Sequence, residues 1–155
     1  MFSEAKSRIR LPAMNQSPRS GGRPTARSGP KRPNVAGSAS PAQHRAQASL
    51  RDALQATPSV RFRVGDKRDG GPASYAITGR AGRRGYLQRI AVHPDERRHG
   101  WGRALVYDAL RWLRRHDARR ALVNTQWENE GALALYEACA FRRLPVGLCV
   151  LNRAL

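Results

Sequence analysis

Acidic residues are scarce: 11 Asp and Glu stand against 29 Lys and Arg, a formal charge of +18 over 155 residues. So unbalanced a chain attracts polyanions, and nucleic acid, an acidic membrane surface or a phosphate-rich small molecule would each satisfy the charge. Aromatics are also few, at 6%, and no RNA-reading aromatic motif occurs, which demotes nucleic-acid recognition as a primary role. Cysteine is limited to Cys139 and Cys149. With neither a CxxC nor a His-rich spacing, no metal site is expected. Both cysteines lie among apolar neighbours and read as reduced packing residues of a cytosolic protein, not as a disulfide. No window reaches the roughly 18 apolar residues of a membrane span, and the N-terminus lacks the apolar run of a secretory signal. The expectation is one soluble, cytoplasmic domain with no membrane partner.

Hydrophobic residues are short as well, at 40% against about 45–50% in ordinary globular chains. The shortage is local. Residues 1–48 are built from Ser, Pro, Gly, Ala, Arg and Gln, with nine Lys or Arg and one acidic residue, Glu4. Their few apolar side chains cannot offset the entropy of ordering, so this basic low-complexity segment is expected to be disordered. It reads as a basic arm with a weak association to nucleic acid, as a solvated tail without a selected role, or as the product of a misassigned start. A transit peptide ranks lower, because the Pro and Gly residues oppose an amphipathic helix.

From Ser49 the texture changes, and residues 49–155 read as the folded domain. Ser49 caps a short helix through Leu50, Leu54 and Gln55 that ends before Pro58. Val60–Val64 and Ala73–Thr78 read as strands, Gly79–Gly85 as a turn, and Tyr86–Val92 as a third strand stopped by His93-Pro94. Gly102 to about His116 carries Leu105, Val106, Ala109, Leu110, Trp112 and Leu113 at helical spacing. Ala121–Thr125 is a strand, Asn129–Ala138 a helix, and Phe141–Asn152 holds one or two closing strands. The class is α/β: a mixed, mostly antiparallel sheet with flanking helices.

The stretch Arg97-Arg98-His99-Gly100-Trp101-Gly102 joins the third strand to the long helix. A strand, a Gly-rich turn and a helix N-terminus make an anion cradle, because the first N–H groups of a helix have no partner within it. Arg97, Arg98 and Arg103 add charge around it.

These residues resemble a known family. Arg97-x-x-Gly100-x-Gly102 is similar to the Gln/Arg-x-x-Gly-x-Gly/Ala turn of the GNAT superfamily of N-acetyltransferases, and Leu87-Gln88-Arg89-Ile90-Ala91-Val92-x-Pro94 resembles the family's fourth strand. Asn129-x-x-Ala132-x-x-Leu135-Tyr136-Glu137-x-x-Ala140-Phe141 is similar to its second signature, closest in style to the ribosomal-protein-alanine acetyltransferase branch. The resemblance covers about residues 50–155. Of the strand and two helices that open the family's fold, only Leu50–Thr57 looks represented, so the fold is expected to be N-terminally shortened.

The resemblance implies a GNAT fold and acetyl-CoA as acyl donor, with its pyrophosphate on Arg97, Arg98, His99, Gly100, Trp101, Gly102 and Arg103. It implies a pantetheine arm along Ile90, Ala91 and Val92, where backbone N–H groups around Ile90 and Val92 would meet the oxyanion. It places Tyr136 as general acid beside the coenzyme sulfur, although from spacing alone Tyr136 is a core position. The branch carries a Glu where this chain has Asn124, which cannot take a proton. Glu128 and Glu130 are the nearest carboxylates and read as solvated, while His93 and His99 read as phosphate or surface contacts. Asn129 either binds pantetheine, caps its helix, or does both. Trp101 and Trp127 read as packing residues. The implied activity is acetyl transfer to a primary amine of a protein N-terminus, a lysine or a small molecule. Two other readings stand: a core that holds coenzyme A without turnover, and a basic nucleic-acid-associated protein. Homodimerisation, common in the family, would be one way to cover an exposed sheet edge.

Overall fold

A computed structural model describes residues 7–9, 41–144 and 149–155, with side chains over 48–144 and 150–155. In chain order the elements are β1 (Ser7–Ile9), α1 (Pro41–Gln55), β2 (Ser59–Asp66), β3 (Pro72–Ala81), β4 (Arg84–Val92), α2 (Trp101–Arg115), β5 (Arg120–Thr125), α3 (Glu130–Ala138), β6 (Arg142–Arg143) and β7 (Cys149–Ala154). A 3-10 turn, Pro94–Glu96, precedes α2. One mixed sheet runs β1-β2-β3-β4-β5-β7-β6. It is parallel at β1-β2 and β4-β5 and antiparallel elsewhere, which is the expected α/β class. No described helix is long and apolar enough to cross a membrane.

Two elements fall inside the segment expected to lack structure. Ser7–Ile9 pairs in parallel with Arg63–Gly65 and so adds a short strand at the β2 edge of the sheet. Helix α1 starts at Pro41, not Ser49; proline suits the first turn of a helix, where its missing N–H is not needed. Ser49 therefore lies within α1 instead of capping it, and its hydroxyl accepts from Arg89. The rest of that segment, residues 1–6 and 10–40, lies outside the described residues.

Arg61 and Arg63 reach Asp108 on α2, so the odd residues of β2, and Ala76 and Ile90 in register with Arg63, face that helix. Arg89 lies one position out of that set and meets α1, which covers the opposite face. Leu105, Val106, Ala109, Leu110 and Leu113 are buried along one side of α2, and the last four pack with Leu87, Ala121, Val123 and Leu151 of the sheet and Leu133 and Tyr136 of α3.

Gly79–Gly85 is not a turn. β3 continues to Ala81 and β4 begins at Arg84, leaving only Gly82 and Arg83 between them. Two of the glycines that suggested a turn, Gly79 and Gly85, are strand residues against which other elements press: a Cβ on Gly79 would overlap Thr57 Oγ1, and one on Gly85 would lie 2.9 Å from Leu113 Cγ. A Cβ on Gly65 would run into the Trp101 ring, 2.8 Å from Cε3, and lie 2.6 Å from Ser74 Oγ. Because a buried indole has nowhere to move, Gly65→Ala should destabilise the domain by about 1–3 kcal/mol. Urea denaturation would measure this, and an unchanged midpoint would show that Trp101 can yield.

Candidate active site

Strands β4 and β5 run parallel but pair only over Arg84–Leu87 and Arg120–Val123. At the end of that pairing the register of β4 on β3 slips: Leu87 faces Thr78 while Arg89 faces Ile77, leaving Gln88 as the extra residue of a bulge. A bulge bends its strand and adds twist. Beyond it, residues 89–92 of β4 have no partner in β5, and a gap opens between the two parallel strands. The His93 amide donates to Ala73 O at 2.7 Å, on the β3 side. Since backbone polar groups alternate in direction along a strand, those of Val92 and Ile90 point into the gap while those of Ala91 face β3. Of the three β4 residues singled out in the sequence, Ile90 and Val92 thus offer backbone donors to the gap.

The anion cradle lies immediately downstream. Arg98 (φ 64°) and Gly100 (φ 85°) adopt the left-handed conformation that turns successive N–H groups toward one side. Gly100 is the N-cap of α2, with no side chain capping the end, and its Cβ position opens onto space with nothing within 4 Å. The first turn of α2 closes with the Ala104 amide donating to Gly100 O at 3.0 Å. The Trp101, Gly102 and Arg103 amides precede that bond and are left to a ligand. Arg97, Arg98, His99 and Arg103 are exposed around them, and the Arg103 guanidinium sits 5.7 Å over the Tyr107 ring.

Trp101 contributes only its backbone to this cradle. Its side chain is 5% exposed, lies against Gly65, and donates from Nε1 to Glu96 Oε2 at 3.1 Å. Trp127, also read as packing, instead stands 54% exposed with Arg143 5.8 Å over its ring. Gly102 serves helix packing, because a Cβ there would come to 3.0 Å from Leu135 Cδ2 of α3.

Asn129 caps α3, its Oδ1 accepting from the Ala132 amide at 3.1 Å. Tyr136, on the sheet-facing side of α3, is 6% exposed with its ring 5.8 Å from Phe141. Burial, with a smaller contribution from Cys139, pushes its phenol up to about 12, so at neutral pH it is a donor and not a base. Burial likewise raises the Cys139 thiol, which is fully buried and free. The Cys149 side chain lies outside the described residues.

The profile described as Acetyltransferase (GNAT) family matches residues 34–141. This chain belongs to the GNAT acetyltransferase family. The match reaches further toward the N-terminus than the motifs did, in keeping with helix α1 at Pro41–Gln55. No curated protein matches the sequence. Among solved structures, this GNAT chain is similar to nourseothricin acetyltransferase, at 25% identity and a TM-score of 0.58 over 63% of this chain, and spans 66% of that one. It is also similar to PaiA N-acetyltransferase from Thermoplasma acidophilum in complex with coenzyme A, at 10% identity and a TM-score of 0.58, covering 73% of this chain and 71% of that one. The ribosomal-protein-S18-alanine N-acetyltransferase of Escherichia coli matches at 28% identity over 57% of this chain and 64% of its own, with a TM-score of 0.49; its acceptor is not carried over.

The GNAT domain's own residues fit the coenzyme that the family binds. An uncapped helix end with open space before it suits a pyrophosphate, and an unpaired strand edge suits an extended amide-bearing arm. Among the described residues no group of three or more His, Cys, Asp or Glu is placed to hold a metal.

No carboxylate stands where a base was sought. Asn124 is exposed on β5, and Glu128 and Glu130 are exposed on the approach to α3. His93 accepts from the Asp95 amide, and His99 lies 3.9 Å from Glu96. Gln88 carries no distinguishing signal in the sequence. Its Nε2 donates to Thr57 Oγ1 at 3.2 Å, while its Oε1 is buried without a hydrogen-bond partner among the described residues. This side chain lies against Thr57 and against Gly79 of β3 as the extra residue of the bulge, and a bulge has no one-residue signature in sequence.

Proposed function

We propose that this GNAT family member transfers the acetyl group of acetyl-CoA to a primary amine, with residues 49–155 as the acetyltransferase domain. One juxtaposition carries the reading: the open N-terminus of α2 and the unpaired edge of β4 lie at the same end of the sheet. A donor whose pyrophosphate rests on the α2 amides and on Arg97, Arg98 and Arg103 would lay its arm along Ile90 and Val92. Acetyl-CoA supplies an activated thioester. The chain holds it in place, and holding two reactants together accounts for much of the rate of such reactions. The gap-facing amides of Ile90 and Val92 donate to oxygen as charge develops on it, and Tyr136 gives a proton to the departing sulfur. Asn124 takes the place of a carboxylate on β5 and Glu128 and Glu130 are exposed, so the amine loses its proton to water.

The test is thermal unfolding with and without acetyl-CoA. At a hundred times its dissociation constant the donor should add about 2.7 kcal/mol, or roughly 10 °C. The double variant Arg97→Ala, Gly100→Ala, which removes a cradle charge and puts a Cβ on a left-handed residue, should lose that shift. A folded wild-type chain with no shift would end the proposal. A shift with no thiol release across a panel of amines would replace transfer by binding alone.

A further inference from the structure

We propose that the end of the domain opposite the coenzyme cradle binds the phosphate backbone of single-stranded nucleic acid. A pocket of about 540 Å³ opens there beside the last turns of α2 and the end of β7. Four arginines line it, Arg111, Arg114, Arg115 and Arg153, with Tyr107 and no acidic side chain. Among the described residues, Arg111, Arg114 and Arg115 are exposed, and their side chains belong to no hydrogen bond or ion pair. Arg153 is fixed, its Nη1 donating to Cys139 O. The basic surface continues past the pocket: Ala154, one of its walls, pairs with Arg120, which pairs with Arg84 on the next strand.

The nearest acid on α2 is already committed, since Asp108 is shared between Arg61 and Arg63. The negative end of the α2 dipole accounts for basic residues in its last turn, at about 0.3–1 kcal/mol each. It does not account for Arg84, Arg120 and Arg153, which stand on strands. Cations gathered around a pocket that no acidic side chain lines repel one another, and a ligand carrying phosphates removes that repulsion while releasing its own counterions.

The ligand is not the acetyl donor. Twelve residues of helix separate Gly102 from Arg114, about 18 Å at 1.5 Å per residue. Arg153 faces α2 while Arg120 and Arg84 face the other side of the sheet, so one occupant touching all of them must be extended. Tyr107, 37% exposed at the pocket, offers a ring on which a base can stack, the combination that single strands use.

The experiment is fluorescence anisotropy of a labelled oligouridine RNA on the full chain. The triple variant Arg111→Gln, Arg114→Gln, Arg115→Gln changes only exposed side chains, so it should remain folded, lose no more than the few degrees that the α2 dipole contributes, and keep the wild-type acetyl-CoA shift. Its Kd for the RNA should rise at least about tenfold, and the slope of log Kd against log salt should fall by about 2, from roughly 0.7 per single-strand phosphate contact. A comparison variant with Arg19, Arg23, Arg27, Lys31 and Arg32 changed to Gln should lose less. Wild-type affinity in the triple variant, with the loss confined to the comparison variant, would move the binding to the N-terminal segment and overturn the proposal. Displacement of the RNA by saturating acetyl-CoA would place it in the cradle and overturn it equally. So would competition by polyglutamate as effective as by unlabelled RNA, which would mean a site for acidic protein. None of these readouts depends on acetyl transfer.

Discussion

Tyr136→Phe is expected to lower kcat by about 10²–10⁴-fold, the range contributed by a positioned general acid, while leaving acetyl-CoA binding and the fold in place. The substitution keeps the ring that packs against Phe141 and removes only the hydroxyl. Burial holds that phenol at about 12, so it remains protonated throughout the neutral range. No limb of the pH–rate profile below pH 10 should belong to it. A second readout needs no acceptor: because folding raises this pKa above its ordinary value near 10, the stabilisation is complete below about pH 10 and is lost as pH rises toward about 12. The Phe variant should lack that share of the alkaline loss. Thiol release with any amine the wild type accepts is the decisive measurement, and an unchanged kcat would reduce Tyr136 to a core residue.

Asp108→Ala should cost about 3 kcal/mol of stability, as removal of one member of a buried ionic group does. Its carboxylate meets Arg61 at 2.9 Å and Arg63 at 3.0 Å, all three side chains being less than a fifth exposed, and the loss leaves two guanidiniums facing each other. Burial by itself would raise the Asp108 carboxyl, but hydrogen bonds and charges from Arg63 and Arg61 outweigh it and hold the group below the ordinary carboxylate value. Burial lowers Arg61 in spite of Asp108, an apparent conflict within one ion pair. Desolvation decides it on the arginine side, and a guanidinium stays charged regardless. With the carboxyl depressed in the fold, its contribution is present above about pH 4 and disappears as pH falls further. Urea denaturation between pH 7 and pH 3 should show an acid-labile component in the wild type that the variant lacks. A difference below about 1 kcal/mol at pH 7 would mean that water screens the pair.

Both expectations concern residues whose partners the sequence does not name. Tyr136 could be singled out only through a motif, since Ala132, Leu135 and Cys139 at helical spacing describe a core face equally well. Nothing in the sequence marks Asp108, on the polar side of an amphipathic helix; strand β2 supplies its partners from more than 40 positions away. Gly79 and Gly85 misled in the other direction. Their composition suggests a turn, while their actual constraint is steric, set by Thr57 and Leu113 approaching from other elements.

What the sequence determined by itself is what depends on near neighbours in the chain. Helical spacing located α2 and α3, Asn129 marked a cap, His93-Pro94 stopped β4, and the glycines after Arg97 announced an open helix end. These follow from backbone geometry over a few residues, where a single side chain decides whether an N–H is satisfied or a positive φ is tolerated. Tertiary structure alone decided where β4 parts from β5, which N–H groups face the gap, that Trp127 stands exposed while Trp101 is buried, and that arginines from α2, β4, β5 and β7 gather at one end. Each of these depends on register and packing between segments distant in sequence, and a slip of one residue would turn every side chain of a strand to the other face.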